Sequence, residues 1–400
     1  MNTKALIEIS TRYLANTYSR FPVVITKGKG CSVWDIEGKE YLDFVSGLAV
    51  CNLGHSHPDI VKAIQEQAER LIHISNLYHI EPQARFAELL CKNSFADKVF
   101  FCNSGAEANE AAIKLARKYV SDRGLQDRFQ IVTMEMSFHG RTLATLSATA
   151  QAKFHKGFEP LLEKFIYVPF DDIGAVEKAL SPSVCAVMVE PVQGEGGVNL
   201  PDKNYLRELM ELCKEREVLL IFDEVQAGMG RTGKLFAHEH YGVTPDIMTL
   251  AKGLAGGVAM GAMLATNKVA KSFTPGTHAS TFGGNPIAAS AGIAALTAIL
   301  EKGVLDNCRR LGGYLVQKLQ KLKFKYPFIK EIRGLGLMIG IDLSCPEIGK
   351  EIVTESLKRG LLVNCTADTV LRFLPPLIVT EKEVDKMMEI LEVVLGGIRD

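Results

Sequence analysis

Two side chains of opposite charge stand at the ends of apolar segments in the middle of this sequence. Asp223 directly follows the run 218–222, and Lys252 follows the run 246–250 and precedes a glycine-rich loop. An aspartate at the tip of a core strand needs a cationic partner, because an unpaired buried charge is costly. A desolvated lysine amine with a lowered pKa is the nucleophile that Schiff-base formation requires. Open α/β sheets bind ligands at the carboxyl ends of their strands, so the sequence predicts a reactive site there.

A third feature, around Ser104, could bind an anion. The apolar run 98–102 is followed by Asn103-Ser104-Gly105-Ala106 and then at once by a helical pattern. Free backbone N–H groups at a helix N-terminus, with the helix dipole behind them and a serine hydroxyl beside them, suit one phosphate group. A single junction of this kind is more commonly a plain helix cap, so the phosphate interpretation depends on the other residues.

Short aliphatic runs alternate with longer helical patterns and would hold these residues in place. Strands are predicted at 98–102, 129–133, 184–189, 218–222 and 246–250. Most of them are apolar on both faces, as buried parallel strands are. Helical periodicity is clearest at 107–120 and 202–216. The alternation predicts an α/β layered domain.

The chain changes character after Pro286, where the pattern is typical of a separate α+β domain. Helices are predicted at 287–300, 304–322, 347–359 and from 381 onward, and strands at 337–343 and 371–374. The first fifty residues resemble neither half, although 30–35 and 41–45 around the Glu37-Gly38 turn predict a β-hairpin.

Length and charge narrow the class of protein. A chain of 400 residues is long enough for two domains, and 46 basic against 46 acidic residues leave no net charge to attract a nucleic acid or an anionic membrane. Nine scattered cysteines without a C-x-x-C pair indicate reduced thiols in a cytosol. The early charges Lys4, Glu8 and Arg12 argue against a signal peptide. The uncharged segment 275–300 has an apolar part shorter than the ~20 residues of a membrane span, so a buried helix is predicted.

Taken together, these motifs resemble the type I fold of pyridoxal-phosphate enzymes, and within it the class III aminotransferases, most closely their acetylornithine branch. Further matches run in order over nearly the whole chain. They are Gly47-Leu-Ala-Val50, Asn52-Leu-Gly-His55, Ser75-Asn-Leu-Tyr78, Glu81-Pro82, Ser137-Phe-His-Gly-Arg141, Glu190-Pro-Val-Gln-Gly-Glu195, Phe222-Asp-Glu-Val-Gln226, His278-Ala-Ser-Thr281-Phe-Gly-Gly-Asn-Pro286, Arg333-Gly-Leu-Gly336 and Leu371-Arg-Phe-Leu-Pro-Pro376.

The resemblance implies a large domain with a mostly parallel seven-stranded sheet between helices, and a smaller α+β domain. We expect residues 1–55 to contribute to the small domain, 56–285 to form the cofactor-binding domain, and 286–400 to complete the small domain. The implied activity is reversible transfer of an amino group from N2-acetyl-L-ornithine to 2-oxoglutarate in arginine biosynthesis, with pyridoxal 5′-phosphate as cofactor. The implied protein is a cytoplasmic homodimer with shared active sites, small-molecule substrates, and neither nucleic-acid nor membrane partners.

The resemblance also implies roles for individual residues. Lys252 would hold the cofactor and move protons, and Asp223 would pair with its ring nitrogen. Other cofactor contacts are implied for Ser104, Gly105, Ala106, Phe138, Val225, Gln226 and, from the partner subunit, Thr281. Arg372 would bind the α-carboxylate and Arg141 the distal group, because a planar guanidinium binds carboxylates bidentately. Glu195 would neutralise Arg372 for the alternate substrate, and Ser280 and Tyr18 are further substrate contacts.

Several alternatives remain open at this stage. Leu48 stands where relatives that use free ornithine commonly have a tyrosine, which favours an acylated or shorter distal group. Succinylornithine, 4-aminobutyrate and ornithine therefore remain possible donors, and an aminomutase or a non-catalytic cofactor-binding protein is a more distant alternative. His55-x-His57 and His238-x-His240 have metal-like spacing but no third ligand, so loop or capping roles are expected and no metal is assigned. His139 and Arg333 are left outside the site, and Glu190 is expected to brace its loop.

Overall fold

A computed structural model describes residues 2–398. Its α-helices are α1 (Thr3–Tyr13), α2 (Ser46–Ala49), α3 (Pro58–Ala68), α4 (Glu81–Lys92), α5 (Gly105–Ser121), α6 (Leu143–Ala148), α7 (Ala152–His155), α8 (Ile173–Ala179), α9 (Tyr205–Glu215), α10 (Asn267–Ala270), α11 (Pro286–Glu301), α12 (Val304–Lys325), α13 (Pro346–Lys358) and α14 (Glu381–Gly397). Short 3₁₀ turns cover Ala237–His240 and Lys252–Ala255.

The strands form three sheets. They are β1 (Ile25–Lys29), β2 (Ser32–Asp35), β3 (Glu40–Asp43), β4 (Lys98–Cys102), β5 (Gln130–Met134), β6 (Phe165–Val168), β7 (Val184–Val189), β8 (Leu219–Asp223), β9 (Ile247–Leu250), β10 (Gly261–Ala265), β11 (Ile329–Leu335), β12 (Met338–Leu343), β13 (Leu361–Leu362), β14 (Asn364–Thr366) and β15 (Val370–Phe373).

The central sheet has seven strands in the order β4-β10-β9-β8-β7-β5-β6. Strands β6, β5, β7, β8 and β9 run parallel, whereas β10 pairs antiparallel with both β9 and β4. The predicted α/β domain with a mostly parallel seven-stranded sheet is confirmed, including all five predicted strands. Strands β6 and β10 are not among the predicted strands. Strand β10 reads Gly-Ala-Met-Leu-Ala, without β-branched or aromatic residues, so it carries little strand propensity.

Helices cover both faces of this sheet. Successive side chains of a strand point to opposite faces, and here the side chains on both faces are apolar and need to be buried. On β5, Ile131 joins one apolar cluster together with α5, whereas Val132 joins a second cluster together with α9. On β8, Ile221 belongs to the first cluster and Leu220 to the second. The strands are therefore buried on both sides, and their carboxyl ends are the part of the sheet that remains available to a ligand.

Two four-stranded sheets lie outside this layer, and one of them joins the two ends of the chain. The predicted hairpin is β2–β3, and β13 extends its sheet by pairing parallel with β3. The other sheet has the order β11-β12-β15-β14 and is antiparallel. The predicted C-terminal helices and strands are all present.

The uncharged segment near Pro286 forms α11, a helix with nine buried residues, as predicted. Within residues 2–398, no single helix is long and apolar enough to cross a membrane. The pair α11 and α12 meets the length and composition test only when taken together, across a 65° bend.

Candidate active site

A cavity of about 410 Å³ opens at the carboxyl ends of the central strands. Its volume lies within the range of small-molecule sites. It is lined by Val50, Asn103, Ser104, Gly105, Ala106, Asn109, Phe138, His139, Gly140, Arg141, Glu190, Asp223, Val225, Gln226, Ala251, Lys252, Gly257, Val258, Ala259 and Met260. Nine of the residues expected from the sequence are therefore brought together in one place: Ser104, Gly105, Ala106, Phe138, Arg141, Asp223, Val225, Gln226 and Lys252.

Asp223 is the last residue of β8 and is buried, with 3% of its surface exposed. Its Oδ2 accepts hydrogen bonds from Asn109 Nδ2 at 2.7 Å and His139 Nδ1 at 2.8 Å, and its Oδ1 accepts one from Val225 N at 3.0 Å. A carboxylate has about four acceptor positions, so one position remains on Oδ1.

Lys252 begins the 3₁₀ turn that follows β9 after one residue. Its φ of +46° lies in the left-handed region, which is costly for a residue with a side chain. The side chain is partly buried, and its removal from water lowers the pKa of the amine, while the nearby Glu195 carboxylate opposes that shift. A lowered pKa increases the fraction of neutral, nucleophilic amine at neutral pH.

The anion-binding end of the cavity is the N-terminus of α5. Ser104 caps this helix, because its Oγ accepts the Glu107 N–H at 3.2 Å, and the first backbone bond within the helix comes from Ala108 N–H to Ser104 O. The N–H groups of Gly105 and Ala106 precede that bond, so they are free to donate to a ligand. The capping role and the anion-binding role of this junction are compatible in one geometry.

Two apolar side chains border the cavity beside this helix end. A side chain at position 105 would place its Cβ only 2.7 Å from Val225 Cγ1, so glycine is required for Val225 to pack there. Phe138 N–H donates to Glu190 Oε2 at 3.1 Å, which fixes the loop that carries Phe138.

The Arg141 guanidinium is exposed and stacks on Phe154, 4.1 Å from the ring centroid.

Arg372 and Glu195 form an ion pair next to the cavity. Arg372 on β15 is fully buried, and its Nη1 donates to Glu195 Oε1 at 2.8 Å and to Gln226 Oε1 at 3.0 Å. Its Nη2 is buried without a hydrogen-bond partner in the described chain. Burial alone would raise the pKa of Glu195, but the charges of Arg372 and Lys252 outweigh it and lower the pKa to about 2. The guanidinium therefore keeps one unused donor for an anion.

Five of the expected residues do not line the cavity: Arg372 and Glu195, which lie next to it, and three others. Ser280 is partly buried, and its Oγ accepts a hydrogen bond at 3.3 Å from Nδ2 of Asn103, which itself lines the cavity. Thr281 is exposed, and Tyr18 is 70% exposed with Arg20 stacked on its ring. The contacts expected for these three residues stay predictions.

The structure adds residues that the sequence reading left out. Asn109 and His139 both contact Asp223, and each is almost fully buried. The sequence did offer a signal for Asn109, because it is a polar residue one turn into α5 on a helix face that is otherwise rich in alanine. Glu190 accepts from Phe138 N and Gly194 N, which is the bracing arrangement expected for it, and burial raises the pKa of its carboxyl.

The two histidine pairs lie elsewhere. His55 Nε2 is 2.7 Å from Asp43 Oδ2, and His238 Nδ1 is 2.8 Å from Glu224 Oε1. His57 stands at the N-cap position of α3 without a side-chain capping bond, and His240 contacts Thr232. In the described part of the chain, no three His, Cys, Asp or Glu side chains are grouped so that they could hold a metal ion.

The cavity fits pyridoxal 5′-phosphate, the cofactor that the sequence resemblance implies. Free N–H donors at the α5 N-terminus suit the phosphate, and the remaining acceptor position on the buried Asp223 carboxylate suits a protonated ring nitrogen. The Lys252 amine on the same cavity suits the aldehyde.

Comparisons with known proteins agree with this arrangement. The family model described as "Aminotransferase class-III" matches residues 13–395. The chain is 52% identical to the acetylornithine aminotransferase of Caldanaerobacter subterraneus over 98% of this chain and 100% of that protein. It is 51% identical to the acetylornithine aminotransferase of Methanocaldococcus jannaschii, with 100% of both chains covered.

Solved structures show the same fold over the whole chain. The ornithine aminotransferase of Toxoplasma gondii superposes with a TM-score of 0.96 at 36% identity, covering 99% of this chain and 95% of that one. The acetylornithine aminotransferase of Elizabethkingia anophelis superposes with a TM-score of 0.90 at 35% identity, with 100% of both chains covered. This chain belongs to the class III aminotransferases, the pyridoxal-phosphate-dependent family that its motifs resemble.

Proposed function

We propose that this protein transfers an amino group between N2-acetyl-L-ornithine and 2-oxoglutarate, giving N-acetylglutamate 5-semialdehyde and glutamate, as a step of arginine biosynthesis. The observation that carries the proposal is full-length identity of about half to relatives named for that activity. Among the solved structures, the ornithine aminotransferase of Toxoplasma gondii at 36% identity and the acetylornithine aminotransferase of Elizabethkingia anophelis at 35% are about equally similar to this chain. Free ornithine is therefore the second candidate donor.

The Arg372–Glu195 pair supports a pocket that accepts two unlike amino donors. Glutamate and 2-oxoglutarate carry an α-carboxylate next to the reacting carbon, whereas the reacting amine of acetylornithine is at the far end of the molecule. When Glu195 turns away, Arg372 would bind the α-carboxylate of glutamate bidentately through Nη1 and the unused Nη2. When Glu195 stays, the guanidinium is neutralised and the aliphatic part of acetylornithine can pass beside it.

Lys252 and Asp223 supply the chemistry common to both half-reactions. Bound pyridoxal phosphate provides an aldehyde for the substrate amine and a protonated ring that withdraws electrons. Lys252 Nζ would hold the cofactor between turnovers and then carry a proton from the substrate carbon, which its lowered pKa favours. Asp223 would pair with the protonated ring nitrogen, because its buried carboxylate is fixed by three donors and keeps one acceptor position on Oδ1.

The distal part of the substrate would meet Arg141 and the segment around Leu48. Arg141 lines the cavity with an exposed guanidinium, which suits the second carboxylate of glutamate. Leu48 is 42% exposed two residues before the cavity residue Val50. An aliphatic side chain there offers no partner to the charged α-amine of free ornithine, so the acylated donor is favoured.

A homodimer with shared active sites belongs to the same proposal. The segment 71–78 exposes large apolar side chains, among them Leu77 at 86% and Ile72 at 64%, and Phe282 is exposed at 59%. Asn76 Nδ2 donates to Ser280 O and Gly283 O, so this segment and the Thr281 loop form one surface. A second copy would cover that surface and bring Thr281 to the neighbouring cavity. We further propose a cytoplasmic location and a small domain built from residues 1–55 and 286–400 around the 56–285 domain.

Amino-donor profiling tests the substrate assignment. With 2-oxoglutarate fixed, we expect kcat/KM for acetylornithine to exceed that for succinylornithine, ornithine and 4-aminobutyrate. A higher value for ornithine would replace the proposed donor, and turnover without any 2-oxo acid would indicate an aminomutase instead. Lys252→Ala is the control, and it should abolish both turnover and the visible absorbance of the bound cofactor.

A further inference from the structure

Asn109 makes three short hydrogen bonds that tie four elements together beneath the cavity. Its Nδ2 donates to Asp223 Oδ2 at 2.7 Å and to His139 O at 2.7 Å, and its Oδ1 accepts from Thr249 Oγ1 at 2.6 Å. Asn109 is 1% exposed and Thr249 is completely buried. The bonds connect α5, the loop after β5, the tip of β8 and the middle of β9.

The orientation of this amide is unambiguous. The two groups that face Nδ2 are a carboxylate oxygen and a backbone carbonyl, which can only accept, so the NH₂ group must point at them. The Thr249 hydroxyl then donates to the amide oxygen. Every hydrogen-bonding group of the Asn109 side chain except one acceptor position of its oxygen is used, so the side chain cannot rotate without losing buried hydrogen bonds.

Asn109 also lies one helical turn beyond Gly105 on the same helix. The N-terminus of α5 is the phosphate end of the cavity, and Asn109 is its contact with the carboxylate end. A single helix therefore connects the N–H groups that would bind the phosphate with the carboxylate that would bind the ring nitrogen. Because Oδ2 of Asp223 is occupied by Asn109 and His139, the acceptor position left for a ligand is on Oδ1.

We infer that Asn109 is a positioning residue for the ring nitrogen of pyridoxal phosphate, acting through the Asp223 carboxylate. The side chain orients the carboxylate and directs Oδ1 to the ligand. This inference rests on the cofactor and not on the proposed amino donor, so a failure of the donor assignment leaves it standing.

Cofactor affinity of the apoprotein tests this role without reference to turnover. The dissociation constants of two probes are measured for wild type and Asn109→Ala: pyridoxal 5′-phosphate, and its carbocyclic analogue in which a C–H replaces the ring nitrogen. Both probes carry the aldehyde and the phosphate, so their bonds to Lys252 and to the α5 N-terminus cancel in the comparison. We expect Asn109→Ala to weaken pyridoxal phosphate at least about tenfold, the usual effect of a hydrogen bond to a charged group, and the analogue less than about threefold.

Matched variants separate positioning from packing. Ile113→Ala removes a buried side chain one turn further along α5 and away from the cavity, and it should weaken neither probe selectively. Thr249→Val removes the hydroxyl that fixes the amide, so it should weaken the binding of pyridoxal phosphate selectively, though less than Asn109→Ala does. Thr249→Ser keeps the hydroxyl and should bind both probes as wild type does. Thr249→Val carries the test if Asn109→Ala does not fold. Equal weakening of both probes by Asn109→Ala, or no weakening of pyridoxal phosphate, would overturn the inference.

Discussion

Two completely buried arginines, Arg372 and Arg231, have opposite surroundings. Arg372 has one carboxylate partner, Glu195, whose side chain is 26% exposed, and keeps one Nη2 without a partner in the described chain. Arg231 has no carboxylate partner among residues 2–398; both of its terminal nitrogens are bonded, and its Nε has no partner in the described chain. Burial lowers the pKa of Arg231 to about 10.

The partners of Arg231 belong to the fixed framework of the protein. Nη1 donates to the carbonyl oxygens of Leu337 and Pro375, and Nη2 donates to Asn52 Oδ1 at 2.6 Å. Asn52 in turn packs against Gly253, where an added Cβ would stand 2.4 Å from its Nδ2, next to Lys252. Arg231 therefore joins the N-terminal segment, the C-terminal part and the lysine loop.

The difference shows that burial of a guanidinium does not by itself indicate function. Arg231 is held by carbonyl and amide oxygens that cannot leave, so it stabilises the fold. Arg372 also donates to the amide oxygens of Gln226 and Asn364, but its one charged partner is a partly exposed carboxylate, which in the proposed mode is exchanged for the carboxylate of a substrate. Each arginine has one buried nitrogen without a partner in the described chain, Nη2 of Arg372 and Nε of Arg231, so the partly exposed carboxylate partner is what distinguishes the proposed binding residue from the structural one.

The largest expected effect is on stability. Arg231→Met should lower the free energy of unfolding by about 4 kcal/mol, because Asn52 Oδ1 and the Pro375 carbonyl lose their buried donor. The kcat/KM of the folded protein should change less than about tenfold. Urea unfolding measures the first quantity, and Arg207→Met, at an exposed arginine of α9, is the control, expected within about 0.5 kcal/mol of wild type. A loss of kcat/KM greater than about tenfold in the folded protein would contradict the contrast with Arg372.

The second effect is on catalysis. Arg372→Lys keeps the charge but loses the planar fork, so kcat/KM for glutamate should fall about 100-fold, while the unfolding midpoint changes little. Steady-state kinetics with glutamate and acetylornithine measure it. The loss should be smaller for acetylornithine, because in the proposed mode Glu195 neutralises this arginine. Equal losses for both donors would contradict the exchange of Glu195 for a substrate carboxylate.

The smallest effect concerns pH. The pKa of Glu195 is lowered in the folded protein from its ordinary 4.5 to about 2, so its ion pair contributes fully above pH 4.5 and is lost as the pH falls toward 2. Between pH 6 and pH 4, wild type should therefore lose about 1 kcal/mol more unfolding free energy than Glu195→Gln, which cannot titrate there. Chemical denaturation at the two pH values measures the difference, and parallel losses would show that the pair with Arg372 is not maintained in solution.

Some residues of the candidate site could be predicted from the sequence, and others could not. Asp223, Lys252 and Ser104 were recognisable because each follows an apolar strand, and the order of strands in a parallel sheet brings such ends together. Asn109 and His139 could not be found this way, because their partner lies 114 and 84 positions away in the chain. Strand β10 was missed because its small residues are strand-forming only between β9 and β4.

What the sequence by itself determined is the layered fold, the family and the types of group available for chemistry, since these follow from local periodicity and from motifs that run along the chain. Only the tertiary structure decided which oxygen of Asp223 remains open, which buried arginine pairs with a carboxylate, and which expected residues lie outside the cavity of a single chain. Those properties depend on hydrogen-bond partners from distant segments. Such partners are selected by packing, and no local pattern of residues records them.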